Sequence, residues 1–155
     1  EKREAKLYAP ICCYRDDAWL GHGFYFWDDE LDAHEWGKSS KKKTGRYEIY
    51  EGEIESDNFL DTVFNEQQYN FFLEQIKKAA KNFKEKTNKE PDLKAICSYI
   101  MNEAKWNKML DGVLFADNPK GKTAIAGLPC RRRIQAVLYN IKRLNHFRFY
   151  KEEKC

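Results

Sequence analysis

No apolar run in this chain approaches the ~18 residues that a membrane-spanning helix needs, so a helical span is excluded. No secretory leader pattern is visible. Cys-x-x-Cys is absent, and no Cys/His group has zinc-finger spacing, so no metal site is expected. The five cysteines are Cys12, Cys13, Cys97, Cys130 and Cys155. Their count is odd and their spacing irregular, which argues against a secreted disulfide framework and for a reducing cytoplasm. Charge of one sign is also scarce: 28 Lys and Arg stand against 25 Asp and Glu, a net +3. That is too mild to declare nucleic-acid binding. There is no internal repeat and no long low-complexity stretch. The first residue is Glu1, not Met, which reads as a fragment or a processed form.

What is present is a single-domain length of 155 residues with 15% aromatics: ten Phe, nine Tyr and four Trp. Such ring density fits either a compact core or a cleft built on ring faces. Residues 1–20 read as loop, and Gly21-His22-Gly23 as a turn into an aromatic strand, Phe24 to Trp27. Asp28 or Asp29 can N-cap a short helix through Trp36, with Gly37 as its stop. Lys38 to Arg46 reads as a basic loop. Tyr47 to Ile54 reads as a strand with a bulge, and Leu60-Asp61 as a turn. The longest helix pattern runs from Glu66 to Lys86, with Phe71, Phe72, Ile76, Ala79, Ala80 and Phe83 on one face.

A second helix is expected over Asp92 to Glu103, extended loosely by Trp106 and Met109. Gly112 to Ala116 follows as a strand and Asn118 to Leu128 as a loop. Ile134 to Tyr139 is apolar at nearly every position, as a central strand buried on both faces is. Phe147 to Tyr150 reads as a last short strand. The order favours an α+β fold with a mostly antiparallel sheet.

Two segments carry chemical information. In Gly21 to Gly37, Gly-x-Gly lets a backbone approach a ligand closely. Tyr25 in the strand and Trp36 eleven residues on can face each other across a slot suited to a flat heteroaromatic ring. The alternative is that both rings pack in the core. In the second segment, Gln135 is the only polar side chain between Ile134 and Tyr139. A buried amide needs hydrogen-bond partners or costs about 1–3 kcal/mol, so it either ties a neighbouring loop or meets something polar.

Together, Gly21-His22-Gly23-Phe24-Tyr25-Phe26 and Gln135-Ala136-Val137-Leu138-Tyr139-Asn140 resemble two motifs of the ADP-ribosyltransferase fold, in its poly(ADP-ribose) polymerase-like branch. Phe24 replaces that branch's isoleucine, and Trp36 falls at the aromatic end of the following helix. The resemblance implies a split antiparallel sheet with flanking helices. It implies NAD as substrate, with Gly21, Gly23, Tyr25 and Trp36 as binding residues. Tyr25 would stack on the nicotinamide and Trp36 would close its other side. Members often carry a serine three residues before that aromatic; Ala33 stands there and offers no hydroxyl. The branch's histidine-bearing first motif is not found, because His22, His34 and His146 lie in other contexts. A single domain over residues 1–155 that lacks its first strand is therefore expected.

The resemblance puts Gln135 where the branch has its catalytic glutamate, which makes Tyr25 and Gln135 the candidate catalytic pair. The transition state is oxocarbenium-like, as in glycoside hydrolysis. A glutamine carbonyl can accept a hydrogen bond from the 2′-hydroxyl, but it carries no charge and is no useful base. Chain elongation is therefore not expected. Three readings follow. The first is a mono-ADP-ribosyltransferase acting on a macromolecular acceptor, protein or nucleic acid, as a toxin or defence effector with an antitoxin or inhibitor as a further partner. The second is an inactive relative that binds an NAD-like ligand or RNA. The third is an engineered Glu→Gln.

A binding module would use Lys41, Lys42, Lys43 and Arg46 with Arg131, Arg132 and Arg133 on a nucleic-acid backbone. A cysteine hydrolase built on Cys12 or Cys13 is disfavoured, since nothing places a base beside either thiol.

Overall fold

The strand that is apolar at nearly every position lies inside the main sheet. A computed structural model describes residues 6–117 and 132–155 of the chain. In chain order the elements are β1 (Phe24–Trp27), α1 (Glu30–Ser40), β2 (Arg46–Ile54), β3 (Phe59–Asp61), α2 (Glu66–Thr87) and α3 (Leu93–Ser98). A π-helical turn (Tyr99–Glu103), α4 (Trp106–Met109), β4 (Gly112–Asp117), β5 (Arg133–Leu138) and β6 (Leu144–Lys154) follow. The class is α+β. The expected loop over Asn118 to Leu128, together with Cys130 and Arg131, lies outside the described residues.

The strands form two sheets. One has four strands in the order β1-β5-β4-β3, and the other is the antiparallel pair β2-β6. β5 runs antiparallel to both neighbours; β3 and β4 are parallel. Direct cross-strand partners share a face. One face of the larger sheet therefore carries Tyr25 and Trp27 from β1, Gln135 and Val137 from β5, Val113 and Phe115 from β4, and Leu60 from β3. The core forms on this face: Leu20, Leu60, Phe72, Ile100, Trp106, Val113, Phe115 and Val137 pack together, with Tyr25, Tyr139 and Met101 against them. Ala136, Val137 and Leu138 are buried in succession, so β5 is covered on both sides over these residues, whereas Ile134, Gln135 and Tyr139 are only half-buried.

The helices α1, α2 and α3 each begin where an acidic or amide side chain can accept from a free backbone N–H. Asp29 accepts from Leu31 in α1, Asn65 from Gln68 in α2, and Asp92 from Ala95 in α3. Gly37 does not stop α1. The helix continues to Ser40. A side chain at Gly37 would stand 2.4 Å from the Tyr47 ring, so the glycine lets α1 lie against β2. On α2, Phe72 and Ala79 are buried, whereas Phe71 is 48% exposed. Adjacent helical residues point about 100° apart, and Phe72 takes the core direction.

Leu60-Asp61 belongs to a strand rather than a turn, because Leu60 pairs with Val113 and buries its side chain. The expected second helix changes to π-type hydrogen bonding at Tyr99, where Ala104 N–H donates to the Tyr99 carbonyl. The last strand is longer than expected and pairs with β2 from Arg46↔Lys154 to Ile54↔Leu144. Its register shifts near Gly52, where a bulge was expected.

Candidate functional site

The site assembles around Gln135, in the first half of β5 at the border of the core. Its direct partners across the sheet are Trp27 on β1 and Phe115 on β4. The amide therefore lies in a row with an aromatic side chain on each side. Among the described residues its side chain makes no hydrogen bond to protein. Every buried side-chain nitrogen or oxygen there has a partner, so the half-buried Gln135 amide keeps contact with solvent. It ties down no loop that the structure describes.

Tyr25 sits on the same face, two residues along β1 from Trp27. Its ring meets Phe115 edge-on, with centroids 6.3 Å apart. Its hydroxyl accepts from Leu20 N–H at 3.1 Å and donates to the Gly21 carbonyl at 2.8 Å. Burial pushes the Tyr25 hydroxyl well above the ordinary phenol range, so it remains a neutral donor. Tyr139 is raised for the same reason, and its hydroxyl donates to the Leu20 carbonyl at 2.9 Å. The Cys97 thiol, also pushed up by burial, lies 2.6 Å from the Ala18 carbonyl. These three side chains strap the segment 18–21 to the core.

Both glycines of the Gly-x-Gly serve protein contacts. Gly21 has φ +76°, a left-handed conformation that suits glycine, and a side chain there would collide with Met101. Gly23 pairs with Cys13 and backs onto Val137, where a Cβ would stand 2.6 Å from Cγ2. Trp36 lies near the end of α1, half exposed, with the Lys41 ammonium 5.9 Å from its ring centre. It makes no ring contact with Tyr25.

A residue that the sequence patterns did not single out joins the site instead. Trp19 stacks almost parallel on Phe115, with centroids 5.8 Å apart and planes 9° apart. Its loop position gives it no periodicity, so only the strapped backbone reveals it. On the other flank the Arg133 guanidinium lies 5.3 Å over the Trp27 ring and grips Asp117 with two hydrogen bonds, at 2.9 and 2.7 Å. Arg133 is thus already matched with a carboxylate and is not a free phosphate ligand. Arg46 is likewise near Glu152, at 3.7 Å. The expected basic surface is therefore partly neutralised.

The histidines have local partners. His34 bridges the Tyr47 hydroxyl at 2.8 Å and Glu30 at 3.2 Å, His22 meets the Tyr14 ring edge, and His146 faces Glu53 at 4.0 Å. Among the described residues no group of three His, Cys, Asp or Glu side chains could hold a metal ion. No described helix is long and apolar enough to cross a membrane.

The arrangement offers ring faces and an uncharged amide that makes no hydrogen bond among the described residues. It can hold a flat ring and orient a hydroxyl. Comparisons with protein-family models, curated proteins and solved structures return no match.

Proposed function

We propose that the chain is an ADP-ribosyltransferase-like protein that transfers ADP-ribose from NAD to a macromolecular acceptor, protein or nucleic acid. The observation that carries this reading is the placement of Gln135. Its amide has no hydrogen bond among the described residues, it lies between Trp27 and Phe115, and Tyr25 stands on the same face. The residues present suit parts of NAD. The aromatic row suits the nicotinamide ring, and an amide carbonyl suits a ribose hydroxyl as acceptor. In the reaction the bond between nicotinamide and the ribose carbon breaks, and the acceptor's nucleophile bonds to that carbon and releases its proton. Gln135 would orient the ribose without stabilising positive charge, so a single transfer is expected rather than polymer growth.

The test is incubation of the protein with labelled NAD and cell lysate. Label transfer with nicotinamide release is expected, retained by Tyr25→Phe and lost in Tyr25→Ala. Neither label transfer nor nicotinamide release from the folded wild-type chain would overturn transfer as the function. The missing carboxylate favours one other reading, binding of an NAD-like ligand without turnover. NAD binding with no nicotinamide release would select it.

A further inference from the structure

Two half-exposed indoles compete for the role of a ring-binding surface, Trp19 at 49% and Trp36 at 48%. Exposure does not separate them; their surroundings do. Trp19 sits between Ala18, 8% exposed, and Leu20, fully buried. The Cys97 thiol lies 2.6 Å from the Ala18 carbonyl and 3.3 Å from that of Trp19 itself. Tyr139 and Tyr25 hold the Leu20 carbonyl and N–H, and Gly21 N–H donates back to the Ala18 carbonyl at 3.1 Å. An exposed aromatic on so well anchored a backbone has little freedom left to lose when a ligand stacks on it.

The ring itself is backed by Phe115, which is 3% exposed and is the cross-strand partner of Gln135. With one face against Phe115, the exposure of Trp19 lies on its opposite face and edges. Trp36 has no such backing. It rides on a helix that packs mainly against β2 and has a lysine cation as its neighbour.

We propose that Trp19 is the stacking platform of the site, and that its outer face takes the planar, electron-poor heteroaromatic ring of a ribosylated ligand beside Gln135. This rests on the NAD reading above and assigns to Trp19 the ring contact that the sequence motif suggests for Trp36. The indole face is electron-rich and attracts a cationic ring such as the nicotinamide of NAD.

Calorimetric titration of NAD, and separately of free nicotinamide, into the full chain tests it. Trp19→Leu keeps apolar packing on Phe115 and removes the indole face; it is expected to weaken NAD binding about tenfold or more. Trp19→Phe retains a ring and recovers most of the affinity, while Trp36→Leu stays within about threefold of wild type. Circular dichroism of each variant separates a lost contact from a lost fold. Should Trp19→Leu not fold, the pair Trp19→Phe and Trp19→His decides, because the smaller or more polar ring must rank below indole. Wild-type binding of NAD with no ranking at position 19, or with the loss falling on Trp36→Leu, overturns the platform alone. No NAD or nicotinamide binding by the wild-type chain overturns the platform together with the reading on which it rests.

Discussion

Gln135 differs from a glutamate by one charge, and the surrounding rings decide what that charge is worth. Trp27 and Phe115 flank it and exclude part of the solvent. On the proposed ADP-ribosyl transfer, a carboxylate there would act on a developing positive charge through a medium less polar than water. Gln135→Glu is therefore expected to raise nicotinamide release from NAD by about tenfold or more, and Gln135→Ala to lower it. Steady-state assays at neutral pH check both. A folded Gln135→Glu variant with unchanged or lower release would mean that position 135 does not face the reacting carbon. This residue was legible in the sequence because one amide interrupts an apolar run. Trp19 was not. A single tryptophan in a loop has no period to betray it, and its stacking partner lies 96 positions away, on β4.

At the scale of elements, the segment 18–21 holds its shape through side chains from three other places. Tyr25 comes from β1, Cys97 from α3, and Tyr139 from the end of β5. Removing the Tyr139 hydroxyl leaves the Leu20 carbonyl without that partner in a fully buried residue. Tyr139→Phe is expected to cost about 1–3 kcal/mol of stability in urea unfolding. The loss should be accompanied by faster amide hydrogen exchange over residues 18–21. A stability loss with unchanged exchange there would show that the strap does not depend on Tyr139.

The strap illustrates which elements a sequence reveals. α2 was readable because its Phe72, Ile76, Ala79 spacing is local. β3 was not, since three residues carry no pattern and its parallel partner β4 is more than fifty positions away. Most of β6 was also missed. Its charged residues lie on a two-stranded sheet exposed to solvent, without the apolar alternation of a half-buried strand.

At the scale of the whole molecule, the two sheets meet at a polar knot that no segment shows alone. Asp111, just before β4, accepts from the Asn140 amide at 2.8 Å and from the Arg143 guanidinium at 2.8 Å. Arg143 also reaches Glu55 at 3.2 Å, and Asn145 donates to Glu55 at 2.8 Å. Glu55 follows β2, and Asn145 lies in β6, so the knot fastens the β2-β6 pair to the ends of β4 and β5.

The Asn140 hydrogen bond, and then Arg143, hold the Asp111 carboxyl below the usual carboxylate range. In the unfolded chain the group titrates near the ordinary value of about 3.9. A carboxyl depressed on folding contributes stability above that value, and the contribution fades as pH falls through the lower folded value. Asp111→Asn is therefore expected to be less stable than wild type at pH 7. The gap should narrow as melts are taken from about pH 5 towards pH 2, in the window where wild type protonates. Other depressed carboxyls, such as Glu30 beside Lys151, are present in both proteins and cancel in the difference. A gap between the two melting temperatures that stays constant across this range would show that Asp111 holds the sheets by shape and not by charge.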